Sequence, residues 1–224
     1  MKNQSFGDNK NLFAYDPIYQ IMQTGMVNHF TFIPMLTEND NKKEGEKSNR
    51  EKAKVEIKKG VLMGFLNSCI KHGRKDIKEL EPFFTKSGIN MIIYDGEQLF
   101  SNERRREYFK RIDNELLKDS LVFVNPDIGL EVKNPKKEHL LFSEVKDLYE
   151  RMDENSILMI RQHFPRENHP CYLNKRMEEI KETIIDDFPL CIDNDERIFF
   201  LLTRDSSLEH SLIHVIGDYA ESYS

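Results

Sequence analysis

The sequence is poor in the residues that mark a secreted, disulfide-bonded or membrane-spanning protein. It contains no tryptophan and only three cysteines, Cys69, Cys171 and Cys191, which lie far apart and form no Cys-x-x-Cys pair. This spacing argues against a disulfide framework and against a thiolate zinc site. No stretch approaches the roughly 18 consecutive apolar residues of a membrane span, and the N-terminal residues lack the apolar segment of a secretion signal. We therefore expect a cytoplasmic protein that does not enter a membrane.

Charge is abundant and nearly balanced. The 224 residues include 33 Lys and Arg against 39 Asp and Glu, which gives a net charge of −6. This total excludes a uniformly basic nucleic-acid binder, but the local charge varies. Residues 38–59 mix acids and bases with few hydrophobic residues, so we expect a mobile polar loop at about 38–50. Residues 102–118 carry a basic cluster that fits either a phosphate-contacting stripe or a solvated helix face: Arg104, Arg105, Arg106, Lys110 and Arg111.

The order of the apolar segments predicts an α/β fold. Short apolar strands are expected at residues 29–36, 90–94, 120–124, 156–160 and 197–203. Helices are expected at 10–23, 61–72, 76–84, 102–118, 144–152, 171–185 and 206–222, with Ser143 capping the fifth helix and Ser206 the last. This alternation is typical of a mostly parallel sheet that is covered on both faces. The chain is predicted to form one α/β domain, residues 1–224, with an open doubly wound sheet and helices on both faces.

Polar side chains directly follow several of the predicted strands. In an open α/β sheet, the ligand lies outside the carboxyl ends of the strands, at the point where the strand order reverses. If the sheet is parallel, the residues that reach this rim are Asp95, Asn125, Asp127, Glu131, Arg161, Gln162, His163, Arg204 and Asp205. Carboxylates, amides, an imidazole and guanidinium groups are therefore expected to converge on one functional rim.

Two segments resemble methyltransferases. Asn125-Pro126-Asp127, directly after the apolar residues 121–124, resembles the Asn/Asp-Pro-Pro-aromatic motif of amino-group methyltransferases. Phe6-Gly7-Asp8-Asn9 is similar to the opening segment of ribosomal RNA adenine N6-methyltransferases. The longer segment 125–131, Asn-Pro-Asp-Ile-Gly-Leu-Glu, also resembles a group of uncharacterised bacterial proteins. The resemblance implies a Rossmann-like methyltransferase fold, S-adenosylmethionine as cofactor and a nucleic acid as substrate.

The resemblance and the rim together assign roles to individual residues. The expected catalytic residues are Asn125 and Asp127, which would orient the acceptor amine, together with Glu131 and His163. The expected cofactor-binding residues are Asp8, Asn9, Asp95 and Gln162, and the expected substrate-binding residues are Arg161 and Arg166. The glycine-rich turn that brings the backbone close to such a cofactor is missing after the first strand, where residues 36–40 are Leu-Thr-Glu-Asn-Asp.

Two other functions fit parts of the sequence. Pro126-Asp127 and Glu144-Val145-Lys146 have the spacing of the Pro-Asp…Glu-x-Lys pattern of many restriction-type nucleases. In such a nuclease Asp127 and Glu144 would hold Mg²⁺, which prefers oxygen ligands, and Glu144 and Lys146 would share one face of a strand. The helical period of the apolar residues in this segment predicts a helix instead. The third hypothesis is a binding module without catalysis, and the oligomeric state stays open.

Overall fold

Helices and strands alternate along the chain. The computed structural model describes residues 1–3, 6, 9–39, 60–165, 168–194 and 196–221. The helices are α1 (Asn9–Gln23), α2 (Gly60–Lys71), α3 (Leu80–Lys86), α4 (Arg105–Lys110), α5 (Phe142–Arg151), α6 (His169–Thr183) and α7 (Ser206–Glu221). The strands are β1 (His29–Ile33), β2 (Asn90–Ile93), β3 (Ser120–Val124), β4 (Gly129–Leu130), β5 (His139–Leu140), β6 (Ile157–His163), β7 (Leu190–Asp193) and β8 (Arg197–Leu202). Asp8, Arg166 and, from residue 40 onward, the loop predicted at about 38–50 lie outside the described residues.

Six strands form one open sheet in the order β2-β1-β3-β6-β8-β7. β1 pairs in parallel with both β2 and β3, and β3 pairs in parallel with β6. β8 runs antiparallel to its two neighbours, β6 and β7. β4 and β5 form a separate two-stranded parallel ladder. The prediction of an open, mostly parallel α/β sheet of the Rossmann-like class is therefore confirmed.

The sheet separates two apolar cores, one on each face. Every residue of β3 is buried, and its side chains alternate between the cores, with Leu121 and Phe123 in one and Val122 and Val124 in the other. Helices α1, α2, α3 and α7 pack on the first face, which we call the α1 face. Helices α4, α5 and α6 pack on the second, the α5 face. Strands covered on both sides need apolar residues at every position, which explains the continuous apolar runs.

The charged segment 102–118 does not form one helix. It forms α4 and then, after a break, the 3-10 turn Asn114–Leu117. Asp113 adopts an extended backbone, and its carboxylate accepts a hydrogen bond from the N–H of Glu115 at 3.0 Å. A residue that caps a new turn in this way cannot also continue the preceding helix. The prediction of a single helix in this segment is therefore wrong.

The caps of α5 and α7 also differ from the predictions. α5 begins at Phe142, and the carboxylate of Glu144 accepts a hydrogen bond from the N–H of Leu141 at 2.8 Å, so Ser143 lies inside the first turn. At α7, the carboxylate of Asp205 accepts the N–H of Leu208 at 2.7 Å. In both helices a carboxylate accepts a backbone N–H group at the start of the helix, in place of the predicted serine. A carboxylate is a stronger hydrogen-bond acceptor than a serine hydroxyl.

The antiparallel direction of β8 removes Arg204 and Asp205 from the predicted rim. The carboxyl end of β8 lies at the edge of the sheet opposite to the carboxyl end of β6. At that edge, Arg204 donates to the carbonyl of Met152 at 3.3 Å. Its guanidinium carbon lies 4.9 Å from the centroid of the Tyr149 ring. Arg204 therefore secures the last turn of α5 and lies at the opposite edge from the predicted rim.

Across the described parts of the chain, no helix combines the length and apolar character needed to cross a membrane.

Candidate functional site

A crevice opens at the carboxyl ends of β1 and β3. After β1 the chain continues through α2 and α3 on the α1 face to reach β2, whereas after β3 it continues through α5 on the α5 face to reach β6. Connections that leave neighbouring parallel strands toward opposite faces open a crevice outside the ends of those strands. The ends of the two strands, Ile33 and Val124, are paired directly. We call this place the switch crevice.

Met1 lies in the switch crevice and is 1% exposed. Its α-amino group donates to the carbonyl of Met35 at 2.8 Å, and its carbonyl accepts the N–H of Thr37 at 2.7 Å. Its thioether sulfur accepts a hydrogen bond from Nδ2 of Asn125 at 2.9 Å. Burial lowers the pKa of the α-amino group to about 5, although the negative charge of Asp127 acts in the opposite direction. The crevice therefore holds an amino group beside β1 and a thioether beside β3.

The loop after β1 makes a tight turn without glycine. Met35, two residues beyond the end of β1, has a φ of 44°. This left-handed conformation is the one that glycine usually supplies, and a larger residue adopts it at a cost on the order of 1–3 kcal/mol. Met35 is buried, and its carbonyl is the acceptor for the amino group of Met1. The loop after β1 therefore contains, without a glycine, a left-handed residue that turns a carbonyl toward the crevice.

Asn125, Arg161 and His163 form a hydrogen-bonded row next to Met1, in which Asn125 and Arg161 are buried and His163 is half-buried. Nη1 of Arg161 donates to Oδ1 of Asn125 at 2.8 Å, and Nη2 lies 2.8 Å from Nε2 of His163. Because a guanidinium group only donates, Nε2 of His163 is the acceptor and the ring proton is on Nδ1. Arg161 thus holds the amide oxygen of Asn125, which leaves the NH₂ group of Asn125 facing the sulfur of Met1.

Asp127 lies at the mouth of the switch crevice. Its side chain is 22% exposed, its Oδ2 accepts a hydrogen bond from Oγ1 of Thr37 at 3.3 Å, and Nζ of Lys2 is 3.8 Å from the same oxygen. Thr37 in turn contacts the carbonyl of Met1. Asp127 therefore supplies a carboxylate that reaches both the crevice and the solvent.

Asp95 lies on the opposite side of β1. It follows β2, which pairs with β1, and it has a φ of 48°. The hydroxyl of Tyr108 is buried near Asp95 and close to the backbone of Met35. Burial raises the pKa of Tyr108, and the charge of Asp95 raises it further. A carboxylate and a phenol therefore lie beside the end of β1, across from Asn125.

Gln162 and Glu131 belong to the α5 face. Successive side chains of a strand point to opposite faces, so Arg161 and His163 share one face and Gln162 has the other. Gln162 is 2% exposed, and its side chain accepts the N–H of Leu130 at 2.8 Å and donates to the hydroxyl of Tyr172 at 2.9 Å. Glu131 accepts the N–H of Phe142 at 3.1 Å, at the start of α5. Both side chains use their polar groups to hold the fold, and neither is included in the function proposed below.

Glu144 and Lys146 lie on helix α5, as the apolar period of this segment predicts. Arg105 binds both carboxylate oxygens of Glu144, with Nη2 2.8 Å from Oε2, and the two side chains are each 11% exposed. The partners of Asp127 are different residues. Within the described ranges, no three His, Cys, Asp or Glu side chains come together as a metal site requires. The nuclease hypothesis therefore lacks the strand geometry on which it depends.

The Glu144→Gln variant is expected to become more stable relative to the unmodified protein as the pH rises. Burial raises the pKa of Glu144 above its usual value of 4.5, even though Arg105 lowers it. The folded protein thus binds this proton more tightly than the unfolded chain, and stability falls as the pH rises between the usual and the raised pKa. Urea unfolding of both proteins from pH 4 to pH 7 measures the difference. An advantage of the unmodified protein that grows with pH would contradict this sign.

The structure brings together four of the predicted site residues, Asn125, Asp127, Arg161 and His163, and places Asp95 beside the neighbouring strand. Asn9 is the first residue of α1. Met1, Met35 and Tyr108 were not predicted. Met35 was predicted to lie inside the strand at 29–36, whereas β1 ends at Ile33, and the contact of Met1 with Asn125 spans 124 residues. No protein-family model, curated protein or solved structure matches this chain.

Proposed function

We propose that the switch crevice binds S-adenosylmethionine and that the protein transfers the methyl group to an amino group of a nucleic acid. The observation that carries the proposal is the 2.9 Å contact between Nδ2 of Asn125 and the thioether of Met1. A sulfur and an α-amino group also define the methionyl half of this cofactor. In the crevice the two groups have the partners Asn125 and the carbonyl of Met35. Met1 must leave the crevice for the cofactor to take its place.

The residues near β2 fit the nucleoside half of the cofactor. In dinucleotide-binding sheets, a carboxylate that follows the second strand binds the ribose hydroxyls. Asp95 lies in the turn that follows β2 and is the carboxylate proposed for this contact. The hydroxyl of Tyr108 is buried beside it and keeps its proton to donate, because the backbone of Met35 contacts its oxygen. An acceptor and a donor are thus available for a polar ligand at the end of β1.

The chemistry divides between the cofactor and the chain. The cofactor supplies a methyl group on a sulfonium, which an amine nitrogen can take directly. The carboxylate of Asp127 accepts a hydrogen bond from the acceptor amine and removes the proton that this nitrogen must lose. Arg161 and His163 are positioning residues, because Arg161 fixes the amide of Asn125 and His163 holds Arg161 in place.

Isothermal titration calorimetry with S-adenosylmethionine and S-adenosylhomocysteine tests the proposal. Both compounds are expected to bind, and S-adenosylhomocysteine is expected to bind more tightly, because the amide N–H of Asn125 donates to a thioether but not to a sulfonium. One such hydrogen bond contributes about 1 kcal/mol, which corresponds to a preference of about fivefold. In the Asn125→Ala variant the two affinities are expected to become equal.

The control for this measurement is Lys71→Ala, an exposed position on α2 that is expected to keep the preference. Thermal unfolding checks that the Asn125→Ala protein is folded. Absence of heat from both ligands at millimolar concentration would overturn the proposed function. If the unmodified protein bound the two ligands with equal affinity, the proposed hydrogen bond from Asn125 to the sulfur would be contradicted. The proposal that the crevice binds the cofactor would stand.

A further inference from the structure

A polar groove runs between α4 and α5 on the α5 face. Its volume is about 1060 Å³. Ion pairs build its walls, since Arg105 binds Glu144 and Arg151 binds Asp147 at 3.0 Å. α5 connects the loops beyond the carboxyl end of β3 to the start of β6, so the groove begins at the same edge of the sheet as the switch crevice.

The groove carries a surplus of positive charge. Five of its lining side chains are cationic and three are anionic, and two of these acids are the ones already bound by Arg105 and Arg151. Arg106 and Lys110 are exposed, lie one helical turn apart on α4, and have no ion-pair partner among the described residues. Arg111 continues the row. Its contact with the exposed Glu107 is long, with 3.8 Å between Nη1 of Arg111 and Oε1 of Glu107. The groove therefore offers unneutralised cations to a ligand.

Three large apolar side chains line the groove, and none of them is exposed. Phe109 and Ile112 are 3% and 2% exposed, and Leu141 is half-buried just before α5. Protein–protein interfaces need an apolar centre, whereas contacts to a phosphate backbone come from Arg, Lys and side-chain amides and hydroxyls. Asn102, Asn114 and Ser143 supply such amides and a hydroxyl along the groove. The lining thus favours a phosphodiester chain over a protein segment.

We propose that the groove between α4 and α5 binds the sugar-phosphate backbone of a single-stranded nucleic acid through Arg106, Lys110 and Arg111. This inference rests on the proposed function, because it gives the substrate a path along the α5 face to the carboxyl edge of the sheet. A single strand is favoured over a duplex because its bases can reach a crevice without unpairing.

Fluorescence anisotropy with labelled single-stranded DNA and RNA of the same sequence, measured at several salt concentrations, tests the groove. The Arg106→Ala/Lys110→Ala variant removes two phosphate contacts. Its plot of log affinity against log salt is expected to be shallower by about 1.4, since each contact to a single strand contributes about 0.7. Its affinity at low salt is expected to fall at least about tenfold. The two labelled strands show whether the backbone binds irrespective of the sugar.

The matched control is Lys71→Ala/Lys86→Ala, which removes two exposed charges from α2 and α3 on the α1 face. Equal losses in the two double variants, or no binding of either strand by the unmodified protein, would overturn the proposal. Tighter binding of a polyglutamate peptide than of the strands would assign the groove to acidic protein segments and also overturn it. This experiment and the calorimetry can fail independently. If the protein binds the strands but gives no heat with S-adenosylmethionine, the cofactor site is refuted and the groove proposal stands.

Discussion

The Gly129→Ala variant is expected to lose about 3 kcal/mol of its free energy of unfolding. Gly129 has a φ of 141°, a conformation that residues with a side chain rarely adopt. A Cβ atom at this position would lie 2.4 Å from Oε1 and 2.5 Å from Cδ of Gln162. Gln162 cannot rotate away without breaking its hydrogen bonds to Leu130, His163 and Tyr172. Urea unfolding followed by circular dichroism measures the loss.

The control for Gly129 is Gly64→Ala. Gly64 is exposed in α2, and no atom lies within 4 Å of the position of its added Cβ. Alanine there is expected to raise the stability by about 0.5–1 kcal/mol, because it lowers the entropy cost of forming the helix. The Gly129→Ala/Gln162→Ala double variant is expected to lose less than the sum of the single losses, since removal of the Gln162 amide relieves the clash. A Gly129→Ala protein as stable as the parent would contradict the close approach of the two residues.

The parallel strands were predictable from the sequence because burial on both faces makes their residues continuously apolar. Residues 121–124 of β3 and 157–160 of β6 show this pattern, and β1 is interrupted only by Thr31 after its first residue. The direction of β8 was not predictable, because its six residues are also buried on both faces and an apolar run looks the same in either direction. This is why Arg204 and Asp205 were assigned to the wrong edge. The edge strand β7 was missed because only one of its four residues, Ile192, is buried.

The edge of the sheet at which the polar strand-end residues gather was predictable, but the set of residues that gather there was not. Asn125, Asp127, Arg161 and His163 lie at the predicted edge. The alternation of side chains along β6 places Gln162 on the α5 face. There its amide packs against Gly129 and accepts the N–H of Leu130. The contacts of Met1 and Tyr108 at the end of β1 arise from tertiary packing, and no local pattern in the sequence encodes them.

The Asp127→Asn variant is expected to lose at least about 100-fold in the rate of the proposed methyl transfer. Its affinity for S-adenosylmethionine is expected to fall much less, since only the attraction of the carboxylate for the α-amino group is lost. Asparagine has the same shape as aspartate and can keep the contact to Oγ1 of Thr37, but it cannot take the proton from the acceptor amine. The carboxylate is at the mouth of the crevice and 22% exposed, so the substitution leaves no buried charge behind. Transfer of tritium from the labelled methyl group into mixed RNA and DNA measures the rate, and calorimetry measures the affinity.

The control for Asp127 is Asp186→Asn, which makes the same change at an exposed position after α6 and is expected to keep full activity. The separation of rate from affinity decides the role of Asp127. If affinity and rate fell together, Asp127 would belong to the cofactor site and would not act on the amine. A fully active Asp127→Asn protein would exclude the carboxylate as proton acceptor. A loss of rate much larger than the loss of affinity would support the proposed role of Asp127 on the acceptor side, because the partners proposed for the sulfur and the amino group of the cofactor are Asn125 and Met35.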